Sequence, residues 1–164
     1  MGSPAVVLLR IAPLITATAG HICTLTQTIA FTTFMHLSVP TAHAPSVRAW
    51  TRPYLFNLGP IVLTAHLLAL ALLTCNTLPN LAVNAGMGPR VRQLYGIALG
   101  LEVLSVSLVG PKYRAAKMCW EGTDAKATVK GLGMIKRVNG WRLLLVDLPN
   151  WSCVLAAVVL ELGK

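Results

Sequence analysis

Polar and apolar positions in this chain segregate into long blocks. No Asp, Glu, Lys or Arg occurs from Ile11 to Val47, and none occurs between Arg52 and Arg90. A helix rising about 1.5 Å per residue crosses a roughly 30 Å hydrocarbon layer with some 20 apolar residues. A water-soluble helix of that length keeps a charged face, and these blocks have none. The pattern predicts a first span over roughly Ile11–Phe34 and a second over roughly Leu58–Leu78. Two further apolar blocks predict spans near Gln93–Val109 and Leu143–Leu160.

Between the blocks lie breakers and charge. Pro40, Pro45 and Pro53 predict a loop from Leu37 to Arg52, with His36 and His43 beside it. Pro60 then falls in the first turns of the second span. Gly86, Gly88 and Pro89 predict a turn from Pro79 to Arg92. Lys112 to Arg142 is the longest polar segment, with a break at Glu121-Gly122-Thr123. Its part from Ala125 to Val138 reads as an amphipathic helix lying on the membrane face. The fold class is therefore all-α: a four-helix transmembrane bundle with an amphipathic helical segment in the third loop, one integral membrane domain over residues 1–164. The weakly basic start and long first block read as a retained span, not a cleaved signal. The first and third loops hold ten basic residues, which the positive-inside rule places in the cytosol.

Composition strengthens this picture. Of the 164 residues, 55% are hydrophobic and 12% charged, and mean hydropathy is +0.66. Soluble domains carry about 25% charged residues. The net charge of +9 lies outside the apolar blocks, where it faces lipid head groups; basic residues interleaved with aromatics, as nucleic-acid binding needs, are lacking. Cys23, Cys75, Cys119 and Cys153 form no CxxC, which argues against thiol exchange and a zinc site.

Candidate chemistry lies inside the spans. His21, His66, Glu102 and Asp147 fall one on each. A lone ionised group in hydrocarbon costs about 2.5–3.5 kcal/mol, so such residues face the bundle interior and mark a functional site. Converging on one dry pocket, they suit proton transfer, with His66, Glu102 and His21 as the catalytic candidates. Ala17, His21, Thr24 and Thr28 share one helix face. Thr24, Gln27, Asp147, Asn150 and Trp151 are the candidate substrate-binding residues. No metal site is assigned. His21 and His66 on neighbouring helices offer the axial pair for a haem b. Gly96 and Gly100 form a GxxxG spacing that lets helices approach closely.

Three stretches carry a likeness to a known family: Trp50-Thr51-Arg52-Pro53-Tyr54 followed by Gly59-Pro60; Gly110-Pro111-Lys112-Tyr113; and Ile135-Lys136-Arg137-Val138-Asn139 with Leu148-Pro149. In these, and in span order, the chain resembles the fungal anthrone oxygenases, small four-span membrane proteins of aromatic polyketide pathways. The resemblance implies oxygenation of an apolar polycyclic phenol at an activated methylene, by base-assisted proton removal without bound metal or flavin, in an endomembrane. Pro60 stands where the family often has histidine, Lys112 and Tyr113 where it has asparagine, and Val138 where it has tryptophan. The polar roles are then either lost or moved to His66 and Glu102. The alternative is a non-enzymatic accessory or assembly subunit of a membrane complex. The expected partners are the bilayer and a small aromatic substrate, with a second copy or a complex subunit besides.

Overall fold

The computed structural model describes residues 4–35, 42, 44–81, 84, 86–122 and 124–163. His36, His43 and most of the first predicted loop lie outside the described residues. Among the described residues six α-helices follow one another: α1 Pro4–Met35, α2 Ala44–Thr77, α3 Pro89–Ser107, α4 Val109–Glu121, α5 Ala125–Arg142 and α6 Leu148–Leu162. α3 runs into α4, and α5 runs through a π-helical turn, Leu143–Asp147, into α6. Four rods long and apolar enough to cross a membrane result: Pro4–Met35, Ala44–Thr77, Pro89–Glu121 and Ala125–Leu162.

The fold class is the expected all-α bundle, and the rods outrun the predicted spans. Hydropathy marks only the part of a helix that oil requires; backbone hydrogen bonding carries it further. Residues 44–52, expected as loop, form the start of α2, so Pro53 and Pro60 lie well inside a helix. Both are exposed on its outer side. The third loop shrinks to a short break at Gly122. α5 is helical as expected but does not lie on the membrane face: Thr128, Leu132, Ile135 and Asn139 are buried, and it packs on α4 and α1. The turn before α3 stands, with Gly86 at a φ of +76° that other residues avoid.

Two prolines inside helices show how the bundle repairs its backbone. Pro13 cannot donate to the carbonyl of Leu9. The buried Asn76 of α2 donates its Nδ2–H to that oxygen at 3.0 Å, and Tyr95 donates to the next carbonyl, Arg10, at 2.6 Å. Pro149 leaves a similar gap one turn before it. There the helix widens, and the N–H of Leu148 bonds to Leu143, five residues back.

Buried apolar side chains gather in two clusters. One, around Ala17, Leu73, Tyr95, Ala98 and Val154, joins α1, α2, α3 and α6. The other, around Phe31, Val47, Ala116, Cys119 and Ile135, joins α1, α2, α4 and α5. Along every rod the polar candidates fall between the two, so a polar layer separates two apolar ones.

The GxxxG pair does not make a close helix contact within the chain. A Cβ on Gly100 would meet nothing within 4 Å, and one on Gly96 would meet Thr77 at an ordinary 3.7 Å. The tight approach is at Gly131, where a Cβ would lie 2.6 Å from Cys119 Sγ and 2.7 Å from the Ala115 carbonyl oxygen. Gly131→Ala is expected to destabilise the bundle by about 1–3 kcal/mol, the usual range for overpacking. Gly133→Ala, where a Cβ meets nothing within 4 Å, is the control. Unfolding in mixed detergent micelles measures both, and equal midpoints would contradict the α4–α5 packing.

Candidate functional site

The polar layer is built from one or two side chains per rod. His66 comes from the middle of α2, Glu102 from α3, and Lys112 from the first turn of α4. Arg142 ends α5, Asp147 ends the π turn, and Asn150 begins α6. His66, Glu102, Arg142, Asp147 and Asn150 are all buried. Residues five apart lie about 140° apart around a regular helix. The π turn closes that angle, so Arg142 Nε donates to Asp147 Oδ1 at 3.2 Å.

The remaining bonds form a chain. Arg142 Nη2 lies 2.7 Å from His66 Nε2, His66 Nδ1 lies 2.5 Å from Glu102 Oε1, and Asn150 Nδ2 donates to Glu102 Oε2 at 2.7 Å. Guanidinium has only donors. Nε2 of His66 must therefore accept, which leaves its proton on Nδ1, donated to the carboxylate. A carboxylate that fixes the tautomer of a histidine is the arrangement that serves a general base. Lys112 Nζ donates to Gln27 Oε1, on the cleft side of the layer.

Two cavities meet at His66. The larger, about 310 Å³, lies between α2 and α4, at the lower end of the roughly 300–1,000 Å³ of small-molecule sites. Its outer walls include Phe56, Leu63, Val109, Tyr113 and Trp120; its inner end holds Gln27, His66, Lys112 and Arg142. Trp120 lies edge-on to Tyr113 at 5.8 Å and tilted to Phe56 at 5.9 Å. Phe56 and Tyr113 are 58% and 56% exposed, so the cleft opens on the outer surface of the bundle. The smaller cavity, about 10 Å³, is lined by Thr16, Gly20, His21, His66, Glu102, Asp147 and Asn150, with Ala17 and Ala65.

The structure thus brings His21, His66, Glu102, Asp147 and Asn150 to one small cavity, and Gln27 to the cleft. Thr24 and Trp151 line neither. Thr24 is buried with its carbonyl bonded by Thr28, and Trp151 donates Nε1–H to Thr18 at 3.0 Å beside the first apolar cluster. His21 and His66, the pair considered for a haem, both line this cavity of about 10 Å³. Among the described residues no group of three or more His, Cys, Asp and Glu is arranged to hold a metal ion.

Arg142 and Lys112 escaped the sequence reading, because both sit in the segment taken for a solvated loop. The available signal was an arginine and an aspartate five apart at the rim of an apolar block, two residues before a proline. The molecule is by fold a helical bundle of the membrane-spanning kind. Comparisons with family models, curated proteins and solved structures found no match.

Proposed function

We propose that this chain is a membrane enzyme of the anthrone-oxygenase type, acting on an apolar polycyclic phenol drawn from the bilayer. One observation carries the reading: His66, oriented by Glu102, stands at the inner end of an aromatic-walled cleft that opens outward. Aromatic walls suit a flat fused-ring ligand. Arg142 and Lys112 suit its oxygen.

At rest, Arg142 occupies the lone pair of His66 Nε2. A phenol or ketone oxygen entering the cleft competes for that guanidinium. When Arg142 turns to the ligand, Nε2 is released as a base. His66 then removes a proton from the activated methylene, Glu102 stabilises the imidazolium, and Arg142 with Lys112 holds the enolate oxygen. The enolate is oxidised by dioxygen, a carbon–oxygen bond forms, and the resulting hydroperoxide loses water to leave a carbonyl. The balance is CH2 + O2 giving C=O + H2O, with no other reductant. An accessory-subunit role rests on no comparable feature: the outward Ile15, Ile22 and Ile29 of α1 meet lipid as readily as a partner.

Turnover tests the proposal. Purified protein in nanodiscs, given an anthrone under air, should form the quinone faster than protein-free discs, with one O2 consumed per product. A rate equal to spontaneous autoxidation removes the reading.

A further inference from the structure

The stoichiometry just given sets a demand that the cleft alone does not meet. Both hydrogens of the methylene end in the product water. Protons taken by His66 must therefore be held and then handed back. The cleft walls are largely apolar, and a holding place has to lie on the other side of His66.

The small cavity lies there, lined by His66 and Glu102 as well as by His21, Asp147 and Asn150. Three buried polar atoms of these residues have no hydrogen-bond partner: His21 Nδ1, Asp147 Oδ2 and Asn150 Oδ1. Such atoms in protein interiors are normally satisfied. The identity of two of them is set by the network. Asn150 gives its Nδ2–H to Glu102, so its free atom is the acceptor oxygen. Asp147 accepts from Arg142 with Oδ1, so its free atom is a carboxylate oxygen. The volume of about 10 Å³ is the lower limit for one water, about 10–15 Å³.

We propose that this cavity binds a single water molecule and that this water, together with Asp147, stores the substrate's proton between the two halves of the reaction. The water donates its two hydrogens to Asp147 Oδ2 and Asn150 Oδ1. It accepts from Nδ1–H of His21. Glu102 links His66 to the water: it accepts the Nδ1–H of His66 on one oxygen and lines the small cavity. A proton taken by His66 from the cleft is thus passed through Glu102 to the water, whose own hydrogen moves on to Asp147 Oδ2, and it returns by the same route to the peroxide oxygen. The groups facing the water are His21 on α1, His66 on α2, Glu102 on α3, and Asp147 and Asn150 at the join of α5 and α6. Arg142 stands behind Asp147. The storing role rests on the enzyme reading; the water site stands without it.

Gly20→Ala tests the site without removing a polar group. A Cβ there meets His66 Cε1 at 3.9 Å and nothing closer, so the methyl enters the cavity without a clash and takes the water's place. Solid-state NMR of 15N-histidine protein in nanodiscs should show a water contact at His21 Nδ1 that Gly20→Ala removes. In turnover, Gly20→Ala should lower kcat about tenfold or more, leave KM within twofold, and raise the solvent deuterium isotope effect. No water contact in the unaltered protein overturns the site, whatever the turnover. A contact that requires sodium marks a cation and also overturns it. Loss of the contact with kcat unchanged overturns the storing role. A water contact in a protein that turns over no phenol overturns that role together with the enzyme reading, and keeps the site.

Discussion

Arg142→Met is expected to lower the stability of the bundle by about 3–5 kcal/mol, the cost of breaking a buried ion pair from one side. The guanidinium serves two partners at once, Asp147 through Nε and His66 through Nη2. Methionine fills most of its volume and leaves both partners bare. In hydrocarbon no solvent replaces the lost donors. Arg142→Lys should not rescue, because a single ammonium cannot reach an aspartate on one side and an imidazole on the other. Arg142→Met with Asp147→Leu should recover much of the loss, since it withdraws both charges. Unfolding in mixed micelles across the four members of that cycle gives the coupling directly. Additive effects would mean that Arg142 and Asp147 do not meet.

His66→Gln is expected to lower turnover of the phenol by about 10²- to 10⁴-fold, the range of a lost general base. Glutamine is chosen because its carbonyl can accept from Arg142 and its amide can donate to Glu102, so the buried chain stays satisfied. KM and the unfolding midpoint should therefore move little. Glu102→Gln keeps an acceptor for Nδ1–H but removes the charge that stabilises the imidazolium, and its loss should be large as well. Turnover unchanged in His66→Gln would place the base elsewhere in the cleft and undo the assignment. A lower kcat with an equally lowered midpoint would mark His66 as structural.

Much of the bundle was legible in the chain before any coordinates. The uncharged blocks around Ile11–Phe34 and Leu58–Leu78 required helices in oil, because only a helix satisfies its own backbone there. His21, His66, Glu102 and Asp147 required an interior, because lipid does not solvate them. Both inferences depend on sums of side-chain preference over a segment, and such sums need no partner. Helix ends were less legible: the start of α2 at Ala44 and the rod through Pro53 and Pro60 follow from hydrogen bonding that continues past the apolar block.

The site itself was decided by tertiary structure. Whether His66 faces Glu102 depends on how far α2 and α3 are rotated about their axes, and neither block encodes that alone. Arg142 lies on the buried stripe of α5 with Ile135 and Asn139, and the π turn before Pro149 brings Asp147 round to meet it. Close approach fell at Gly131 and not at Gly96 and Gly100, because a small residue permits contact only where another helix arrives. Composition along the chain determined what must be buried in this protein. The rotation and pitch of packed helices determined which buried groups touch, because a contact is a property of two surfaces and not of one segment.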